Sequence, residues 1–249
     1  MQSSDFSDWN VYSRFACGWL SPYVIDGSED EVTIRLGCSS EVPDAVLIPT
    51  AAGWNGTAFD EYILIDVLAP YAAAGFDWPM LINEIQMEPD DPRMQGGVRV
   101  YHVDGRLARI DQFDMASNRP ATSYEELLEV INDKDFRHGI WLWNRHYNSD
   151  GLDPVLPGDS RFHHLIEIVP SDGSKRFRHN EHKMYWQALD SLTVADLYGP
   201  GDVFSMEKCA DAFPDAPLMN NGSTFDYEVR VDFYDRKARE AIITVRKIR

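Results

Sequence analysis

Seven histidines and 41 acidic side chains give this 249-residue chain many metal-ligand types, so spacing decides what they could do. A helical zinc-protease site needs His-Glu-x-x-His, which puts both imidazoles on one face and a carboxylate beside the water it activates. No histidine pair has that spacing; the nearest, His179-Asn-Glu-His182, places the second imidazole three residues on and the Glu out of position. His163 and His164 are adjacent, and on a strand they point to opposite faces. His102 and Asp104 stand two apart and would share a strand face, as a weak metal pair or as a hydrogen-bonded structural pair. The loop Asn148-Ser-Asp-Gly-Leu-Asp-Pro154 gathers the oxygens of Asn148, Asp150 and Asp153 around a glycine. That donor set suits calcium, but it lacks the spacing and terminal Glu of an EF-hand, and a plain Asx-rich turn is the simpler reading.

Nucleophilic chemistry has less to stand on. There is no Gly-x-Ser-x-Gly elbow and no glycine-rich phosphate loop. Cys17 falls in an apolar helical stretch, where a buried inert thiol is expected. Three cysteines (Cys17, Cys38 and Cys209) without a Cys-x-x-Cys do not form a disulfide scaffold, although one bridge stays open.

The elements that must position these groups are mostly strands. Trp9, Tyr12, Phe15 and Trp19 recur at helical spacing, with Ser7 or Asp8 as cap, Gly18 near the end and Pro22 as the stop. Residues 31–38 alternate with period two, 45–49 form a short apolar strand, and 61–68 are so continuously apolar that a central sheet position is predicted. Residues 98–103, 140–143 and 164–169 read as further strands. Ser123 and Glu126 fit a capping box for a helix carrying Leu127, Leu128 and Ile131. A second late helix is predicted over 184–192. The clearest element is a hairpin, 225–233 and 241–245 around a turn at 234–237, with one buried face. The fold class expected is α+β and β-dominated: packed antiparallel sheets with an N-terminal helix and peripheral helices, one domain over 1–249, with a helix and loop insertion at about 105–160.

Charge narrows the partners. Lys and Arg total 23 against 41 Asp and Glu, a net charge of −18. A phosphate-binding surface needs clustered bases, so nucleic acid and anionic lipid are poor partners. Arg14, Arg35, Arg93 and Arg99 are the bases of the first hundred residues, whereas residues 236–249 are basic, either a solvated strand face or a patch for an acidic partner. Apolar residues at 44% exclude a disordered chain. No apolar run reaches the roughly 20 residues of a membrane helix, and the first residues carry no signal-peptide pattern.

The order of several segments resembles the bacterial zinc metallopeptidases of the immune inhibitor A family. The segment 8–25, with its Gly18-Trp19 step and Pro22, is similar to the helix that follows the zinc site in that family. Glu61-Tyr-Ile-Leu-Ile65 resembles its Glu-Tyr-Phe-Leu-Ile-Glu strand, and Gly96-Gly-Val-Arg-Val-Tyr-His-Val-Asp104 its Gly-Leu-Leu-Ile-Trp-His-Val-Asp strand. His164-Leu-Ile-Glu167 and Asn220-Asn-Gly-Ser-Thr-Phe-Asp-Tyr227 resemble two later segments. The family's His-Glu-x-x-His helix and third ligand precede the first matched segment, and no residue here corresponds to them. The resemblance therefore implies the C-terminal portion of a secreted or surface zinc metalloendopeptidase, inactive alone. It would support the metal site and cleft, with zinc held by a missing N-terminal half and a peptide as substrate.

On that reading Trp9, Tyr12, Phe15, Tyr62 and Tyr101 are the binding residues facing the absent half. If uncovered, Trp9, Phe15 and Trp19 would form a dimerisation surface; otherwise they are ordinary core. The alternative is a catalytically inactive surface module that binds glycan or protein through Trp54, Trp78, Trp141 and Trp143. A third reading is an unrelated metal-dependent hydrolase using His102 and Asp104.

Overall fold

The computed structural model describes residues 10–69, 96–111, 119–121, 124–132, 138–142, 165–174, 177–180, 185–188, 196–213 and 215–248. Within them the chain is β-dominated, with fourteen strands and two α-helices. The strands are β1 (Tyr23–Val24), β2 (Glu31–Gly37), β3 (Val46–Pro49), β4 (Glu61–Leu68), β5 (Gly97–Asp104), β6 (Leu107–Asp111) and β7 (Arg119–Pro120). They continue as β8 (His138–Leu142), β9 (Ile166–Ile168), β10 (Phe177–Asn180), β11 (Tyr185–Ala188), β12 (Val203–Ser205), β13 (Tyr227–Asp235) and β14 (Glu240–Lys247).

The continuously apolar stretch at 61–68 is β4, the middle strand of a five-stranded sheet ordered β1-β3-β4-β5-β9. Both faces of that sheet are covered, which is why β4 does not alternate. On one face Val46, Ile65 and Val100 form a cross-strand row, followed by Ile48 and Ile63. These side chains share a core with the second sheet, ordered β12-β13-β14-β2, through Phe204, Val229, Val231, Ile243 and Leu36. On the other face Leu47, Leu64 and Tyr101 align, and Val11, Tyr12 and Leu20 pack over them. Val11 and Tyr12 belong to the first helix, α1 (Val11–Ala16).

α1 is shorter than its aromatic spacing suggests. Its cap is Asn10, whose side chain accepts a 2.8 Å hydrogen bond from Ser13 N, rather than Ser7 or Asp8. Gly18 ends it at φ +73°, a left-handed position that glycine takes without strain. Cys17 is the C-cap and is exposed, so the buried thiol expected there is corrected; Cys38 and Cys209 are buried, and all three thiols are free. On the α1 side of the sheet, Asp66 is fully buried and accepts from Arg99 Nε at 2.8 Å and from the Ser39 hydroxyl at 2.6 Å.

The C-terminal hairpin forms, with a later turn than expected: the strands run to Asp235 and restart at Glu240. Asp235 Oδ1 accepts from Lys237 N and Ala238 N at 2.7 and 2.9 Å and shapes that turn. A register shift between Val231 and Phe233 turns Phe233 outward, 44% exposed, so the alternation does not hold to the strand's end. The basic C-terminal residues meet the acidic surface: Arg246 pairs with Glu228 at 2.6 Å, and Arg239 pairs with Glu41.

Two expectations are corrected outside the main sheets. The helix predicted over 184–192 contains β11, which pairs antiparallel with β10. Its few residues satisfy either period, and pairing with a neighbouring strand overrides helical preference. The 105–160 stretch holds more strand than expected: β6, β7 and β8 form a three-stranded sheet beside α2 (Tyr124–Ile131). Glu125 and Glu126 lie in the first turn of α2, where a helix N-terminus favours negative charge. Ser123 lies outside the described residues. Among the described residues no helix is long and apolar enough to cross a membrane.

Candidate functional site

Antiparallel pairing of β4 with β5 sets Glu61 opposite Asp104 and Ile63 opposite His102. Pairing of β5 with β9 then sets Glu167 opposite His102. Period-two alternation puts all four polar side chains on the face that meets the second sheet, at the end of the apolar rows. They are buried: Glu61 and Asp104 at 0% exposure, His102 at 4% and Glu167 at 9%. Charges in such a place must be paired or hydrogen-bonded.

Three of the hydrogen bonds to Glu61 and Asp104 come from the turn after Met219. Glu61 accepts from Asn220 N at 2.7 Å, Asn221 N at 2.6 Å and His102 Nε2 at 2.8 Å. Asp104 accepts from Arg106 Nε and Nη2 at 2.7 and 2.8 Å and from Asn220 Nδ2 at 2.9 Å. Asn221 donates to Thr50 Oγ1 at 3.0 Å, and its own Oδ1 accepts from Ser223 N and Oγ at 2.9 and 2.6 Å. Gly222, at φ +82°, lets the backbone close this Asx turn. The Phe213 ring lies 4.9 Å from the His102 ring and closes one side.

The electrostatics follow from that packing. Burial disfavours a charged His102, but the hydrogen bond and charge of Glu61, with Asp104 and Glu167, outweigh it and raise the imidazole above its ordinary value. Burial likewise works against ionised Asp104, yet Arg106, Asn220 and His102 hold it below the usual carboxylate range. Tyr12 is pushed up to about 12 by burial and by Asp104.

These directions give a prediction for His102. Its folded pKa exceeds the ordinary 6.5. The ion pair's contribution is therefore fully present below about pH 6.5 and is lost as pH rises through the folded value. His102→Gln should cost most near pH 6, with the deficit shrinking as pH rises through the folded value. Urea unfolding of both proteins across that range reads the difference. A deficit that is flat or grows with pH would mean the imidazole is not held charged.

This arrangement does not fit a zinc ion. His102 Nε2 is committed to Glu61, and Asp104 already carries the Arg106 guanidinium, which would repel a cation. Among the described residues no three His, Cys, Asp or Glu side chains converge on a metal position. His102 takes Glu61 as its partner and Asp104 takes Arg106 and Asn220, so each has a structural role with a different neighbour. The calcium candidates Asn148, Asp150 and Asp153 lie outside the described residues, as do Trp9, Trp78 and Trp143; of Trp141 only the backbone is described. His179 sits on β10, while His163, His164 and His182 are outside.

The proposed binding aromatics have a different fate. Tyr12, Tyr62 and Tyr101 are 6%, 0% and 3% exposed, because α1 covers the sheet face they occupy. They are core residues of this chain and offer no binding surface. Phe15 is half-buried, its ring 6.2 Å from Tyr62 and 6.4 Å from Trp54, and Trp19 is 58% exposed. Glu61, Glu167, Asn220 and Asn221 are the site residues that reading by spacing missed. The signal was a carboxylate opening an otherwise apolar central strand, which must find partners in the fold.

No family model matches the chain, and no curated protein or solved structure matches it.

Proposed function

We propose that this chain is a non-catalytic C-terminal part of a secreted or surface zinc metalloendopeptidase of the immune inhibitor A type, supporting a metal site and cleft carried upstream. One observation carries the reading. Four of the five segments that resemble that family are far apart in sequence, and their polar residues meet in one buried knot: Glu61 from 61–65, His102 and Asp104 from 96–104, Glu167 from 164–167, and Asn220 and Asn221 from 220–227. A shared structural device accounts for such matches in one order better than unrelated local similarities do. The knot also suits support rather than catalysis. The Glu61 and Asp104 carboxylates are occupied by donors from this chain and sealed from solvent, so neither could reach a substrate.

The test is the intact mass and metal content of the protein purified from its native source. A longer species carrying about one zinc per chain is the expected result. A 28.4 kDa species without zinc would overturn the proposal.

A further inference from the structure

The 50–60 loop, which leads into β4, borders two open cavities of about 450 and 440 Å³. Both are of a size that holds small ligands, roughly 300–1,000 Å³. Gly53 and Trp54 line both, so the two cavities flank one indole. We propose that this groove binds a neutral oligosaccharide, with Trp54 as the ridge between two sugar subsites. The proposal is independent of the peptidase reading.

The loop holds its aromatic ring in place before any ligand arrives. Trp54 Nε1 donates to Thr57 O at 2.7 Å, and Phe15 packs 6.4 Å from the ring. Asn55 Oδ1 accepts from Thr57 N and Oγ1 at 2.9 and 2.8 Å, and Asn55 Nδ2 donates to Phe59 O at 2.9 Å. Asp60 fastens the far end, accepting from Asn55 N at 2.7 Å and Glu61 N at 2.9 Å. With its N–H spent internally, Trp54 presents a rigid apolar ring to a ligand, and an ordered ring loses little entropy on binding. Phe59, 36% exposed, adds a second aromatic to the larger cavity.

The polar groups oppose an anionic ligand. The larger cavity contains Asp60 and Arg106. Arg106 gives Nε and Nη2 to Asp104, so its guanidinium is already neutralised. The smaller cavity contains Asp26 and Asp226 together with Lys247. Carboxylates thus exceed available cations in both cavities: Asp26 and Asp226 stand with one lysine, and the Arg106 beside Asp60 is already given to Asp104. Neither presents the lone positive centre that an anionic ligand needs. Aromatic surface suits the C–H face of a pyranose and the planar polar groups suit its hydroxyls, in a chain whose net charge of −18 further opposes acidic glycans.

Titration calorimetry of the full chain tests this with cellohexaose, xylohexaose, mannohexaose and chitohexaose, alongside hexalysine and trigalacturonate. At least one neutral hexaose should bind saturably, and Trp54→Ala should weaken it by at least about tenfold with an unchanged circular dichroism spectrum. Phe59→Ala, at a more exposed position, should weaken it severalfold and carries the comparison if the tryptophan variant misfolds. Failure of all four hexaoses to bind overturns the proposal. So does binding of hexalysine or trigalacturonate alone, or unchanged affinity in the folded variants.

Discussion

Glu61→Gln is expected to lower the unfolding free energy by about 3–5 kcal/mol, the range for removing one partner of a buried charged pair. Glu61 is fully buried and serves three donors at once: two successive backbone N–H groups and the His102 imidazole. A glutamine of the same shape offers one acceptor oxygen where the carboxylate offers two. Its amide would face a backbone N–H, donor against donor, and the imidazole would lose its counter-charge. The turn at 220–223 would come loose from the sheet, since Asn220 also ties it to Asp104. Urea unfolding followed by tryptophan fluorescence measures the effect. A loss below about 1 kcal/mol would show that the knot does not hold the closing turn.

Arg99→Met should cost a similar amount, about 3–5 kcal/mol, on the opposite face of the same sheet. The Arg99 side chain is 19% exposed and covers Asp66, which is 0% exposed and would keep only the Ser39 hydroxyl. Methionine retains much of the apolar stem, so the loss isolates the charge rather than the packing. Adding Asp66→Leu to Arg99→Met should recover at least about half of the deficit, because an apolar pair needs no counter-charge. If the double variant is no more stable than the single one, the deficit comes from lost shape and not from an orphaned carboxylate.

Much of the β-architecture was legible because β-patterning is local. The unbroken apolar run at 61–68 could only be a strand covered on both sides, and it is the middle of the five-stranded sheet. The alternation before Asp235 required a hairpin with one face inward, and β13 and β14 form it. Local signals failed where two patterns fit equally well or where a neighbour decided. The 184–192 stretch could be read with either period until β10 supplied a partner. Phe233 followed the alternation in sequence and left it in space, because the bulge beside Val231 shifts the register. Asn10 displaced Ser7 and Asp8 as the cap, since which of several good caps is used depends on where the helix meets the sheet.

The sequence by itself determined that this is a β-dominated chain with a strongly acidic surface and no helical zinc motif. Those properties belong to composition, period and spacing, and no long-range contact is needed to fix them. Only the tertiary structure decided what the polar residues inside the strands are for. Pairing of β4 with β5 and of β5 with β9 carries Glu61, His102, Asp104 and Glu167 to one face. The turn at 220–221 arrives from more than a hundred residues away to satisfy Glu61 and Asp104. A carboxylate's surroundings, and hence whether it binds a metal, an arginine or a backbone amide, depend on groups brought near by folding. Spacing along the chain does not contain them. The Tyr12, Tyr62 and Tyr101 rings show the same division. Their aromatic character was evident, but α1 lying across the sheet made them core rather than contact surface.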